Sequence, residues 1–149
     1  MPVPTPDESG LDYLRRIFAP DGEAAAIGTL IGMSFVSADL GRVVFALTPE
    51  ERHYNPIGSV HGGIAATLLD SAMGCAVHST LAPGTGYTTA EIKVSYVRAM
   101  TAATGPVQAE GRVIHGGSRM ATAEGFVRDA EGRLYAHGTT TCLVFPPPR

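Results

Sequence analysis

The stretch Gly62–Val77 constrains this chain more than any other segment. It reads Gly-Gly-Ile-Ala-Ala-Thr-Leu-Leu-Asp-Ser-Ala-Met-Gly-Cys-Ala-Val, with apolar residues on every side of a helical wheel. That is the pattern of a helix buried all round. Asp70 stands in the middle of it, and an ionised carboxylate there is costly unless it is paired, hydrogen-bonded or put to use. Ahead of the helix runs the polar, glycine-rich Asn55-Pro56-Ile57-Gly58-Ser59-Val60-His61. A helix start presents free backbone N–H groups, so the segment pairs donors at its head with an acid further along. That pairing suits acyl-transfer chemistry. A structural carboxylate, bonded to nearby backbone or hydroxyl groups, is the alternative for Asp70.

The strands form around this helix. Leu11, Leu14, Ile17 and Phe18 recur at helical spacing and predict a short amphipathic helix ending before Pro20 and Gly22. Gly28–Ser37 and Arg42–Thr48 read as strands joined by the hairpin Ala38–Gly41. The long helix is predicted from Gly62 to Leu81, stopped by Pro83-Gly84. Thr88, Ala90, Ile92, Val94 and Tyr96 then alternate with Thr89, Glu91, Lys93 and Ser95, the period of a half-buried strand. Further strands carry Val107, Ala109, Gly111 and Val113, then the small-residue face Ala121, Ala123, Gly125 and Val127, then Leu134–Phe145. The pattern predicts an α+β chain, one antiparallel sheet wrapped around one long central helix, in a single domain spanning 1–149. Residues 1–8 read as a loose, proline-rich start. One helix covers only part of such a sheet, so self-association through sheet edges or the remaining face is expected.

Composition excludes several functions. The formal net charge is −3 and no Lys/Arg block occurs, which speaks against nucleic-acid binding. Asp70, Gly74 and His78 interrupt the longest apolar run, so no membrane span is expected. Met1–Ser9 lacks a basic segment followed by an apolar core, which makes the cytoplasm the expected location. Cys75 and Cys142 lie far apart in apolar segments and read as small buried side chains in a reducing compartment. His53, His78, His115 and His137 show no ligand spacing, so no metal site is expected. There is no Gly-x-Ser-x-Gly elbow and no phosphate-loop pattern.

Asn55, then His61-Gly62-Gly63, then Asp70 in the helix, then a strand carrying Thr89, resembles the hotdog-fold acyl-CoA thioesterases. The nearest branch is that of the phenylacetyl-CoA (PaaI-like) and hydroxybenzoyl-CoA thioesterases. The resemblance implies hydrolysis of a small or aromatic acyl-CoA to the acid and free coenzyme A, with no cofactor beyond the substrate's own coenzyme A. It implies that the Gly62 N–H polarises the thioester carbonyl and that Asn55 helps hold the carbonyl or the water. Asp70 would activate water or attack directly, Thr89 would assist the water, and His61 would orient the loop or the leaving thiolate. Arg98, Ser118 and Arg119 are candidates for the coenzyme A phosphates, against the alternative of an ordinary hairpin with solvated arginines.

Eight residues separate Gly62 from Asp70, roughly 12 Å along one helix. Water held by Asp70 therefore cannot reach a carbonyl held by Gly62 of the same helix. Two antiparallel helices across a two-fold axis can serve one substrate together, so a homodimer with shared sites is expected, assembled further into a homotetramer. Strand alternation puts Thr89 opposite the Ile92/Val94 face, and strand threonines are common for propensity reasons alone. A hotdog dehydratase or hydratase is the enzymatic rival, and a non-catalytic acyl-CoA sensor the rival from another class.

Overall fold

The computed structural model describes residues 4–23 and 26–145. Helix α1 (Gly10–Ile17) is capped by Ser9, whose Oγ accepts from the Asp12 N–H, and it buries Tyr13, Leu14 and Ile17. Helix α2 (Ala26–Ile31) precedes strands β1 (Met33–Asp39) and β2 (Arg42–Leu47). Helix α3 (Gly62–Ser79) is followed by β3 (Gly86–Tyr96), β4 (Val107–Gly116), β5 (Met120–Asp129) and β6 (Leu134–Phe145). The six strands form one sheet in the order β1-β2-β4-β5-β6-β3, antiparallel at every pairing.

The sheet curls over one side of α3. Leu68, Leu69, Ala72, Met73, Ala76 and Val77 are fully buried against it, the larger of them contributing roughly 1.5–3 kcal/mol each. Small residues set the helix-to-sheet distance. A methyl group on Gly111 would lie 2.3 Å from the backbone carbonyl of Ala72, and one on Gly125 would lie 2.9 Å from Met73 Cγ. Ala109, Ala121, Ala123 and Ala136 complete this low surface, all buried.

Four expectations need correction. Residues 28–31 are helical, and β1 begins only at Met33. The short apolar run Ala26-Ile27-Gly28-Thr29-Leu30-Ile31 satisfies helix and strand equally, and Gly32, at φ +71, breaks the chain before the strand. Helix α3 ends at Ser79 with Thr80 as its C-cap, two residues before the predicted Leu81. The helix is also not buried all round. Ala66, Thr67 and Ser71 are half-buried and Asp70 is exposed, because a single sheet covers one face and leaves the other open. Finally, of the stretch expected to be loose, residues 1–3 lie outside the described residues, while Glu8 is tied to Arg16 by two hydrogen bonds of 2.7 and 2.8 Å.

The Gly111 approach predicts a measurable cost. Gly111→Ala should lower unfolding stability by about 1–3 kcal/mol or more, read as a lower urea midpoint with unchanged slope. A wild-type midpoint would contradict this account of how α3 seats on the sheet.

Candidate active site

The head of α3 is held by short local bonds. The His61 Nδ1 accepts the Gly63 N–H at 2.9 Å, making His61 the N-cap and placing the ring proton on Nε2. The Val60 N–H donates to Met100 O at 2.9 Å and the His61 N–H to His53 O at 2.7 Å. Asn55 shapes the preceding turn: its Oδ1 accepts from the Ile57 and Ser59 N–H groups at 3.1 and 3.3 Å, and its Nδ2 donates to Ser59 Oγ at 3.1 Å. Asn55 therefore has its amide engaged within its own turn, a positional duty that sequence spacing does not reveal. The Gly62 N–H has no hydrogen-bond partner among the described residues. It borders a cavity of about 360 Å³ that is also lined by Ser59, Tyr96, Arg98, Met100 and Tyr135.

One wall of that cavity is anchored from behind. Tyr135 donates its hydroxyl to Asp129 Oδ2 at 3.0 Å, and the same carboxylate accepts from Arg133 Nε at 2.6 Å. Burial raises the Asp129 pKa, but these donors and the Arg133 backbone N–H outweigh it and hold the carboxyl below its usual range.

Strand β3 runs alongside α3 and brings Thr89 to Asp70. The Thr89 hydroxyl donates to Asp70 Oδ1 at 2.9 Å. Simple alternation fails here for a structural reason. The β3–β6 register shifts between Thr89 and Glu91, so a bulge at Ala90 moves Thr89 onto the same face as Ile92 and Val94. Two tyrosines that spacing does not single out lie on this face. A methyl on Gly74 would lie 3.1 Å from the Tyr87 hydroxyl, and one on Gly62 would lie 3.0 Å from Tyr96 Cζ. Tyr96 shares the alternating Ile92/Val94 face by sequence, while Tyr87, in phase with Thr89, joins that face only through the bulge.

Burial keeps several groups along α3 and β3 neutral. Burial, with the Asp70 charge, pushes the Cys75 thiol up to about 12, so Cys75 carries no thiolate at neutral pH and is a poor nucleophile. Burial, with the nearby cysteines and Asp70, also lifts the Tyr87 phenol well above its ordinary value. His78, its ring 5.2 Å from both Tyr13 and Tyr87, is pushed down by desolvation.

The three phosphate candidates are not brought together within one chain. Arg98 lies at the Gly62 cavity, with its guanidinium 5.9 Å from the Tyr135 ring centroid. Ser118 and Arg119 sit on the β4–β5 turn, where the Val144 N–H donates to Arg119 O and Val144 pairs with Tyr87. Tyr87 and Tyr96 are at opposite ends of β3, which separates Arg119 from Arg98 by on the order of 25 Å. Among the described residues no histidine ring bonds a carboxylate, and no group of three or more His, Cys, Asp or Glu is placed to hold a metal. No helix among the described residues is long and apolar enough to cross a membrane.

Comparison with known proteins fits this geometry. The thioesterase superfamily profile matches residues 57–136, more than half of the 149-residue chain. A Halobacterium salinarum protein provisionally assigned as an esterase is 36% identical over 128 residues, covering 78% of this chain and 83% of its own. Human acyl-coenzyme A thioesterase 13 is 29% identical over 132 residues, covering 86% of this chain and 91% of its own. The Escherichia coli PaaI protein of the phenylacetic acid degradation operon superposes with TM-score 0.74 over 81% of this chain and 85% of its own, at 22% identity, and establishes the hotdog fold.

The cap makes a separate prediction. His61→Ala should destabilise α3 by about 1 kcal/mol, and His61→Asn should restore most of it because asparagine caps well. Equal melting temperatures for the alanine variant and the wild type would show that the cap contributes nothing.

Proposed function

The chain belongs to the thioesterase superfamily and is a thioester hydrolase, and from that premise we propose that it hydrolyses a small or aromatic acyl-CoA at sites shared between two subunits. The observation that carries this reading is the pair of half-sites on α3. At the helix head an unpartnered Gly62 N–H opens on a cavity. Two turns further on, Asp70 is exposed and held by Thr89. One helix keeps them roughly 12 Å apart, so neither half completes the reaction alone.

The open face of α3 and the free edge of β3 supply the means of pairing. Among the described residues, strand β3 ends the sheet order, bonded only to β6, and an uncovered edge of 11 residues is a template for a further strand. A two-fold pairing there sets the head of one α3 against Asp70 of the other. It also turns the Arg98 end of one subunit toward the Arg119 end of its partner, which would let Arg98, Ser118 and Arg119 serve one nucleotide after all.

In the reaction, the Gly62 N–H and the positive end of the helix polarise the carbonyl. Asp70, its orientation fixed by Thr89, deprotonates water or attacks the carbonyl carbon itself. The C–S bond then breaks and coenzyme A leaves as the thiolate; where Asp70 itself attacked, water next hydrolyses the mixed anhydride, releasing the acid and restoring the carboxylate. Asn55 and His61 keep the loop before Gly62 in place through the bonds described above. Support for coenzyme A as the carrier comes from the name of the human relative and from Arg98 at the cavity. Support for a compact acyl group comes from Tyr87, whose ring closes the helix stripe over Gly74, one turn beyond Asp70. The hydratase alternative needs a histidine working with an acid. His61 is occupied as a helix cap and His53 bonds the Glu50 N–H and Ile31 O.

Asp70→Asn keeps size and removes basicity. It should fold with a wild-type melting temperature and lose nearly all turnover in a thiol-release assay against a panel of acyl-CoAs. Turnover near the wild-type level would overturn the assignment of Asp70.

A further inference from the structure

Two hydrogen-bond donors without partners meet at the head of α3, one from the helix and one from the sheet. Tyr96 closes β3 on the face that carries Ile92 and Val94, paired across to the buried Ala136. Its phenol end lies against Gly62: a methyl group there would stand 3.0 Å from Cζ and 3.2 Å from the hydroxyl oxygen. Both residues line the same cavity. The Tyr96 hydroxyl has no hydrogen-bond partner among the described residues, and the residue is 58% exposed where β3 runs out into the exposed Val97 and Arg98. A phenylalanine would cover Gly62 equally well, so packing alone does not account for the hydroxyl.

Resting on the site proposed above, we infer that the Tyr96 hydroxyl donates a second hydrogen bond to the thioester carbonyl oxygen, beside the Gly62 N–H. As water deprotonated by Asp70 forms the new C–O bond, the carbonyl electron pair moves onto oxygen. That charge is where an O–H and an N–H donor fixed in place act most strongly. When the C–S bond breaks the pair returns, the thiolate departs and takes up a proton, and the tyrosine has kept its own. A single backbone donor leaves the other lone pairs of the oxyanion to solvent. Tyr96 fills it from a rigid strand. A Cβ at residue 62 would press on the phenol and shift it by a few tenths of an ångström, so glycine lets the ring sit against the helix head.

Tyr96→Phe tests this directly, since it retains the ring over Gly62 and removes only the hydroxyl. With the acyl-CoA hydrolysed fastest by the wild type, kcat should fall on the order of 100-fold while KM changes less than threefold and the melting temperature is unchanged. A kcat within twofold of wild type, or a loss confined to KM, would overturn the role of Tyr96. Asp70→Asn assayed in parallel separates the two levels. If it is inactive while Tyr96→Phe is fully active, the site stands and the second donor does not. If Asp70→Asn is fully active, the site itself falls and the Tyr96 role with it.

Discussion

The close seating of α3 on the sheet governs the rest of this structure. Glycine and alanine on the inner face of β4, β5 and β6 let the helix backbone approach until one added methyl at Gly111 would meet the Ala72 carbonyl. Contact at that distance fixes the rotation of the helix as well as its position. Leu68, Leu69, Ala72, Met73, Ala76 and Val77 turn inward, and Ala66, Thr67 and Asp70 are left on the far side. The same rotation brings Gly62, Asp70 and Gly74 opposite Tyr96, Thr89 and Tyr87 of β3 in turn. A one-residue change of helix phase would separate each of these pairs.

Strand β3 therefore acts as the counterpart of the helix in building the site. The bulge at Ala90 is what makes this possible. Without it Thr89 would point away from Asp70 while Tyr96 faced Gly62, and one strand could not serve both ends. Beside Asp70, burial keeps the Cys75 thiol and the Tyr87 phenol protonated, with Cys75 pushed up to about 12. The thiol further along the same helix is thus chemically quiet.

Much of this is legible in the residues themselves. The long helix, and β3 to β6, follow from apolar phase and turn chemistry, and the small-residue face Ala121-Ala123-Gly125-Val127 announces close packing against a helix. Other features are not legible, for physical reasons. A six-residue apolar run satisfies both periods, so α2 reads as strand. A bulge inverts facing without marking the sequence, which conceals the alignment of Thr89 and Tyr96. An apolar helix face has the same composition whether its own sheet or another molecule covers it, so the exposure of Asp70 was hidden. The separation of Arg98 from Arg119 depends on strand order, with β3 beside β6, and no local pattern encodes that. Asn55 is legible as a special residue, while its engagement within its own turn is a matter of tertiary detail.

The central claim is that Gly62 and Asp70 serve one substrate only from different copies of the chain. Complementation between disabled subunits tests it most directly. Subunits carrying Asp70→Asn are mixed with subunits carrying Gly62→Pro, which deletes the N–H and presses on Tyr96 of the same half-site. Each parent alone should be nearly inactive. After verified subunit exchange, random pairing of equal amounts makes half the dimers mixed, each with one intact site, so activity should return to about a quarter of the wild-type value. Activity remaining at the parental level, with mixed dimers demonstrably present and folded, would contradict the shared site.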